Sequence, residues 1–170
     1  MQPVSPNRLD LIKSCESADI AGVHAFFDAP TLRNSAFYSE PLYACAENNF
    51  STGLQYIIDH GISDATTLSI ALHTAIDFEH SACVDILANT YRKRGIPFPE
   101  KSFVMACQKD RPDLIGPLLQ TPPPPEYFQT WPTKYPKELQ TLLQYMAISQ
   151  RKRLGETVSL GTHSAPVKRL

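Results

Sequence analysis

Several features of membrane, secreted and catalytic proteins are missing from this sequence of 170 residues. No run of 18 apolar residues is present, so we expect no membrane-spanning helix. The first residues contain no charged segment followed by an apolar stretch, which argues against a secretory signal. Glycine is scarce, with 7 residues, and no phosphate-binding loop, GxSxG or HExxH motif occurs. We therefore predict a cytoplasmic, non-catalytic protein with no cofactor and no metal.

Charge is also sparse and unevenly distributed. Charged residues make up 19% of the chain and the net charge is −1. Residues 1–121 carry a net charge of −5 and residues 122–170 a net charge of +4. Because an acidic surface repels a phosphate backbone, we do not expect the first region to bind nucleic acid. The four cysteines all lie in apolar-periodic segments, and we expect reduced, buried thiols. They are Cys15, Cys45, Cys83 and Cys107.

What the sequence does contain is a pattern of four similar segments. They begin at Leu11, Leu42, Leu72 and Phe103, at intervals of 31, 30 and 31 residues. A small side chain stands three residues after each start, and large apolar side chains stand 12 and 15 residues after it. The small residues are Ser14, Cys45, Ala75 and Ala106, and the apolar pairs are Val23 and Phe26, Leu54 and Ile57, Val84 and Leu87, Ile115 and Leu118.

This spacing predicts two short antiparallel helices in each segment, joined by a tight polar turn. Neither helix can bury its apolar stripe alone, so the four units must stack. We predict Pro112 in the first turn of the last unit's second helix, with Asp110 as its cap. Asn49 and Gly61 fall at turns where a positive φ is expected. Pro117 should kink the helix that contains it.

These residues resemble the ankyrin-repeat family over residues 7–121. EPLYACA (40–46) and ALHTAI (71–76) are similar to the family's TPLHxAA opening, and YIIDHG (56–61) to its LLxxG ending. The resemblance implies an all-α fold, a helix–turn–helix solenoid of four degenerate ankyrin-type repeats with a C-terminal capping helix. It gives His73 a structural role, bonding local backbone.

The chain departs from the family pattern in two further respects. The third unit has a longer exit, 89–95, with a basic run. The family's turn glycine is replaced in every unit, by Ala18, Asn49, Glu79 and Asp110.

The segment 122–136 follows the repeats and opens with four consecutive prolines. These predict an extended polyproline II spacer. It is either a ligand for a proline-binding domain or a stiff strap that returns Tyr127, Phe128 and Trp131 to the end of the array. We favour the strap, because three large aromatic side chains gain from burial.

Residues 137–153 are predicted to form a helix that caps the fourth unit, with leucines at helical spacing and a basic last turn. The basic residues of that turn, 151–153, are also a candidate nuclear-import signal. Residues 154–170 are polar and without period, so we expect disorder.

Two residue pairs are candidates for metal binding or catalysis. His80 and Cys83 form a single HxxC without the second pair that a zinc site needs. Cys15 and His24 would lie on different helices of one unit, with the thiol inward. Neither pair supports a catalytic site.

The resemblance implies that a partner protein binds the concave face of the array. Exposed aromatic side chains there would anchor it, unless they pack under a neighbouring loop. Acidic Glu16, Glu47 and Asp77 would favour a basic partner segment. We expect a monomeric adaptor or scaffold; the alternatives are a nuclear transcription co-regulator and an α-solenoid enzyme or ligand-binding domain. The candidate partner-binding residues are Phe37, Tyr38, Glu47, Asn48, Asp77, Phe78, Gln108 and Lys109.

Overall fold

A computed structural model describes residues 7–29, 38–60 and 64–154. These residues form ten α-helices and no strand, which confirms the all-α part of the prediction. The helices are α1 (Arg8–Glu16), α2 (Ile20–Asp28), α3 (Ser39–Glu47), α4 (Ser51–His60), α5 (Ala65–Asp77), α6 (Ser81–Arg94), α7 (Glu100–Lys109), α8 (Pro112–Leu118), α9 (Pro125–Lys134) and α10 (Pro136–Arg153).

The first eight helices pack as four successive pairs. Each odd-numbered helix contacts the even-numbered helix that follows it. The odd-numbered helices also contact one another in chain order, from α1 to α7, and the even-numbered helices do the same from α2 to α8. The pairs therefore lie side by side and form two helical layers.

The turns inside the four pairs share one backbone conformation. Ala18, Asn49, Glu79 and Asp110 have φ of 54°, 54°, 61° and 50°. They stand seven residues after the segment starts, at the positions where the resemblance expects glycine. A side chain in this left-handed region costs energy that glycine avoids. The positive φ predicted for Asn49 is confirmed, whereas Gly61 lies outside the described residues.

The core is built from the repeated apolar positions. Leu11, Leu42, Leu72 and Phe103 are at most 1% exposed, and the positions 12 and 15 residues after each are buried as well. Of the small residues, only Ser14 is half-buried. The four cysteines are free and buried, as expected. Truncating one of the central leucines to alanine would cost about 2–5 kcal/mol, because it removes buried area and leaves a cavity.

The third and fourth pairs differ in their local details. The longer exit 89–95 of the third unit is helical up to Arg94, where α6 ends, and Gly95 follows with a left-handed φ of 63°. Asp110 ends α7, and Arg111 is the residue that precedes α8. Pro112 does occupy the first turn of α8, whose seven residues include Pro117.

The proline-rich segment is mostly helical, contrary to the extended strap. α9 begins at the fourth consecutive proline, because proline suits the first turn of a helix. The predicted return of aromatic side chains to the array does occur. Trp131 is fully buried, and the hydroxyl of Tyr127 donates to the carbonyl of Phe98 at 3.2 Å.

α10 packs against α7, α8 and α9 and buries Leu142 between them. It begins one residue before the predicted start, with Pro136 in its first turn. The tail predicted to be disordered comprises residues 154–170. Residue 154 directly follows α10, and residues 155–170 lie outside the described part of the chain.

Candidate interaction face of the first helices

The outer side of the odd-numbered helices is the candidate site, and we call it the front face. On α5, Leu72 points into the core, and the residues opposite it recur at intervals of three and four. Ile70, His73 and Asp77 therefore share the outer stripe of this helix, and the exposed Phe78 follows directly at its C-terminal end. The corresponding stripes of α1, α3 and α7 continue the face to either side.

Tyr38 is not on this face, contrary to the prediction. Its side chain is only 4% exposed. Its ring stacks on Phe27 of α2, with centroids 5.7 Å apart. The alternative was packing under a neighbouring loop, and the ring instead packs on a helix, because Phe27 of α2 offers an apolar surface that the sequence alone did not place. Phe37 lies outside the described residues.

Three large apolar side chains are exposed on the front face. Phe78 is 48% exposed, as predicted, and Ile70 and Tyr43 are 47% and 40% exposed. The sequence reading missed the last two. Their signal was available, since apolar residues opposite a helix's buried stripe break its amphipathic pattern.

Two predicted site residues of α7 are engaged within the chain. The Lys109 ammonium donates to the carbonyl of Asp77 at 2.7 Å and lies 3.5 Å from its carboxylate. The amide of Gln108 donates to Glu138 of α10 at 3.0 Å. Asp77 therefore already has a basic partner, which weakens its predicted role in attracting one from outside.

Different residues occupy the equivalent positions where α3 meets α5, one unit before the Asp77–Lys109 contact. Phe78 stands where the next unit has Lys109, and Glu47 stands where it has Asp77. The carboxylate of Glu47 accepts a 3.4 Å hydrogen bond from Tyr43 and has no ion pair among the described residues. The neighbouring Asn48 is exposed and donates to the carbonyl of Ala44 at 2.9 Å. Glu47 is thus a half-buried carboxylate beside exposed apolar side chains.

His73 lies in the middle of the α5 stripe. Its Nε2 is buried and has no hydrogen-bond partner in the described part of the chain, so this nitrogen does not make the expected backbone bond. Burial and the nearby Lys101 lower the pKa of His73 from its ordinary value. These surroundings therefore disfavour the charged form of the ring.

The two residue pairs considered for metal binding or catalysis make packing and backbone contacts within the fold. His80 donates from Nε2 to the carbonyl of Glu47 at 3.0 Å, joining two units. Burial raises the pKa of Cys83 to about 11, which keeps the thiol protonated. Cys15 is fully buried, while His24 is exposed and packs on Tyr56 at 4.3 Å. Among the described residues, no three histidine, cysteine or carboxylate groups are placed to hold a metal ion.

Comparison of the chain with protein-family models, curated proteins and solved structures gives no match. Within the described ranges, no helix combines the length and apolar character needed to cross a membrane. Any proposal about the family and function of this chain therefore rests on its own residues.

Proposed function

We propose that residues 7–121 are a solenoid of four degenerate ankyrin-type repeats, and that this array is a non-catalytic protein-binding adaptor or scaffold. The repeat assignment is supported by the left-handed turn residues, which recur at the same intervals as the apolar pattern. It is further supported by the pairwise contacts along both layers.

The exposure of Tyr43, Ile70 and Phe78 on neighbouring helices carries the functional proposal. Phe78 directly follows α5 and lies about 12 Å from Ile70 along the helix axis, from the rise of a helix. Exposed apolar groups of this kind, bordered by polar residues, are typical of protein-binding surfaces. The partner meets this face with its own apolar side chains.

The partner segment is basic, because Glu47 lies beside the exposed apolar groups. Glu16 occupies the equivalent position on α1, is exposed, and like Glu47 has no ion pair among the described residues. Asp77, the third member of this acidic row, is paired with Lys109. Attraction to the first two carboxylates steers a basic segment toward the α1–α3 side of the face.

Capture of partner proteins from an extract of the source cells tests this proposal. We compare the native chain with the double variant Ile70→Ser/Phe78→Ser and with Leu143→Ser. Leu143 is a matched control, since it is 49% exposed but lies on α10. We expect proteins that the native chain and the control capture equally, and that the double variant captures at least tenfold less. An identical set of captured proteins for all three chains would remove the front face as the site.

The charge of the partner is tested separately by Glu47→Lys, with Glu126→Lys on α9 as the control. Both changes add the same charge at helical positions that are not fully buried. We expect Glu47→Lys alone to weaken capture at least fivefold at low salt, and less at high salt. Equal capture by both variants would show that the partner is not basic.

A further inference from the structure

A groove runs between α8 and the last turns of α10, and nothing in the proposed function uses it. Its apolar part has a volume of about 190 Å³. A more open part continues toward Ser81 and Asp85 at the start of α6. The apolar part is lined by Pro112, Leu119, Tyr145 and Ile148.

Gly116 forms part of the groove, and Pro117 gives this position a structural reason to be glycine, because a proline ring clashes with a Cβ on the preceding residue of a helix. A Cβ on Gly22 would come within 2.3 Å of the hydroxyl of Ser14, and one on Gly53 within 2.2 Å of Phe50. Gly95 has the left-handed φ that favours glycine. Gly116 lies inside α8, and apart from its chain neighbours and the backbone of its own helix, a Cβ there would meet no atom within 4 Å.

Glycine lowers the stability of a helix, because it loses more backbone freedom on folding than other residues. At 116 glycine avoids the clash that a Cβ would make with the Pro117 ring, which offsets part of this cost. Its lack of a side chain also leaves the groove open for close approach of an occupant.

The charges around the groove indicate the chemistry of the occupant. Lys152 and Arg153 both line it, and neither forms an ion pair within the described ranges. Asp113 is paired with Arg111 at the groove's edge, which leaves Asp85 as a lone carboxylate on the opposite wall. The α10 side of the groove therefore presents two cations above an apolar floor.

We propose that this groove is a second protein-binding site, which takes a short segment of a partner protein in which a large apolar side chain stands next to acidic residues. The apolar side chain enters the space beside Gly116, between Leu119 and Ile148. The acidic residues pair with Lys152 and Arg153. This site does not depend on the front face, and either can be present without the other.

Selection of peptides by the purified full-length chain tests the proposal. A display library of random 12-residue peptides is selected against the native chain, and the recovered peptides are measured by fluorescence anisotropy. We expect them to share a large apolar residue flanked by Asp or Glu. Peptides without that feature, or no enriched peptide at all, would overturn the proposal.

Variants then locate the bound peptide. Gly116→Leu fills the groove, and we expect it to weaken binding at least tenfold. Gly116→Ala, whose Cβ meets the same Pro117 ring but fills little of the groove, is the matched control and should change binding less than threefold. Lys152→Glu/Arg153→Glu should also weaken binding at least tenfold at low salt. Arg151→Glu is the control, since Arg151 is an exposed cation in the same turn outside the groove, and it should change binding less than threefold. Binding that survives Gly116→Leu would contradict the assignment.

Photo-crosslinking distinguishes the partner from other occupants. Benzoylphenylalanine at Ile148 should crosslink to the selected peptide and lose that product when unlabelled peptide competes. A crosslink to residues 155–170 of the same chain, or to a second copy of the chain, that the peptide does not displace would overturn the proposal. Ile70→Ser/Phe78→Ser should leave peptide binding unchanged, so failure here is separate from failure of the front face.

Discussion

The indole nitrogen of Trp131 donates a hydrogen bond of 2.9 Å to Oε1 of Glu100, which lies 31 residues earlier in the chain. This contact joins α9 to the first turn of α7. The rings of Tyr127 and Tyr135 pack on Trp131, at 5.6 Å and 5.7 Å between centroids. The proline-rich segment is thereby part of the folded core.

Trp131→Ala should therefore lower the free energy of unfolding by about 3–5 kcal/mol, since it leaves a large cavity at a fully buried site. Urea denaturation followed by circular dichroism measures this loss. Leu143→Ala on α10 is the control and should cost less than about 0.5 kcal/mol, because it is a surface change. A loss below about 1 kcal/mol for Trp131→Ala would show that α9 is not packed as described.

Ala18→Gly should stabilise the protein by about 0.5–1 kcal/mol. Ala18 has a φ of 54°, where a Cβ is strained, and relief of that strain exceeds the added freedom of the unfolded chain. Ala25→Gly is the matched control. Ala25 is an exposed residue inside α2, so the same substitution should cost about 1 kcal/mol there. Thermal and urea unfolding of both variants should thus move in opposite directions, and a shift of the same sign would contradict the turn geometry.

His73 should make the stability of the protein depend on pH below neutrality. The unfolded chain binds a proton at the ordinary pKa of 6.5, whereas burial and Lys101 lower the pKa in the folded chain. Its contribution is therefore fully present above pH 6.5 and is lost as the pH falls toward the folded pKa.

The variant His73→Gln should be less sensitive to pH between about 6.5 and 5 than the native chain. Urea midpoints at several pH values measure the difference. His24→Gln, a change at an exposed ring on α2, should keep the native slope. Equal slopes for the native chain and His73→Gln would show that the folded protein does not disfavour the charged ring.

Arg111 should stabilise the protein only while two carboxylates are ionised. Its guanidinium lies 2.7 Å from Oε2 of Glu79 and pairs with Asp113. Hydrogen bonds from Arg111 hold the pKa values of both carboxyl groups below their ordinary values of 4.5 and 3.8. Depressed folded pKa values give stability that is present above about pH 4.5 and is lost as the pH falls through the folded values.

The stability difference between the native chain and Arg111→Met should therefore be largest near neutral pH and shrink under acid conditions. Unfolding by urea from pH 7 down to pH 3 follows this difference. Arg151→Met, at a cation without an ion pair in the described part, should show no such convergence. A difference that stays constant with pH would exclude the ionic origin.

The two aromatic side chains Tyr38 and Phe78 show where prediction from sequence works and where it fails. Both were expected on the exposed face. Phe78 is exposed at the C-terminal end of α5, and its place away from the buried stripe follows from helical periodicity, which is a local property. Tyr38 is buried because Phe27, 11 residues away, packs against its ring, and this contact depends on how two units meet.

The proline segment shows a similar limit. Four consecutive prolines predict an extended chain, yet only residues 122–124 precede the helix. The fourth proline can begin a helix as easily as continue an extension. Packing of Trp131 against α7 then stabilises the helical alternative, which local preferences did not distinguish.

The sequence alone determined that the recurring apolar positions are buried and where the four turns fall, because helical period and turn length are local. Only the tertiary structure decided which charges remain unmatched and where a groove stays open. Lys109 reaches Asp77 because α5 and α7 lie side by side, and Phe78 leaves Glu47 without such a partner. The space beside Gly116 likewise exists because α10 lies against α8. These properties depend on the distances between helices far apart in sequence, which periodicity does not specify.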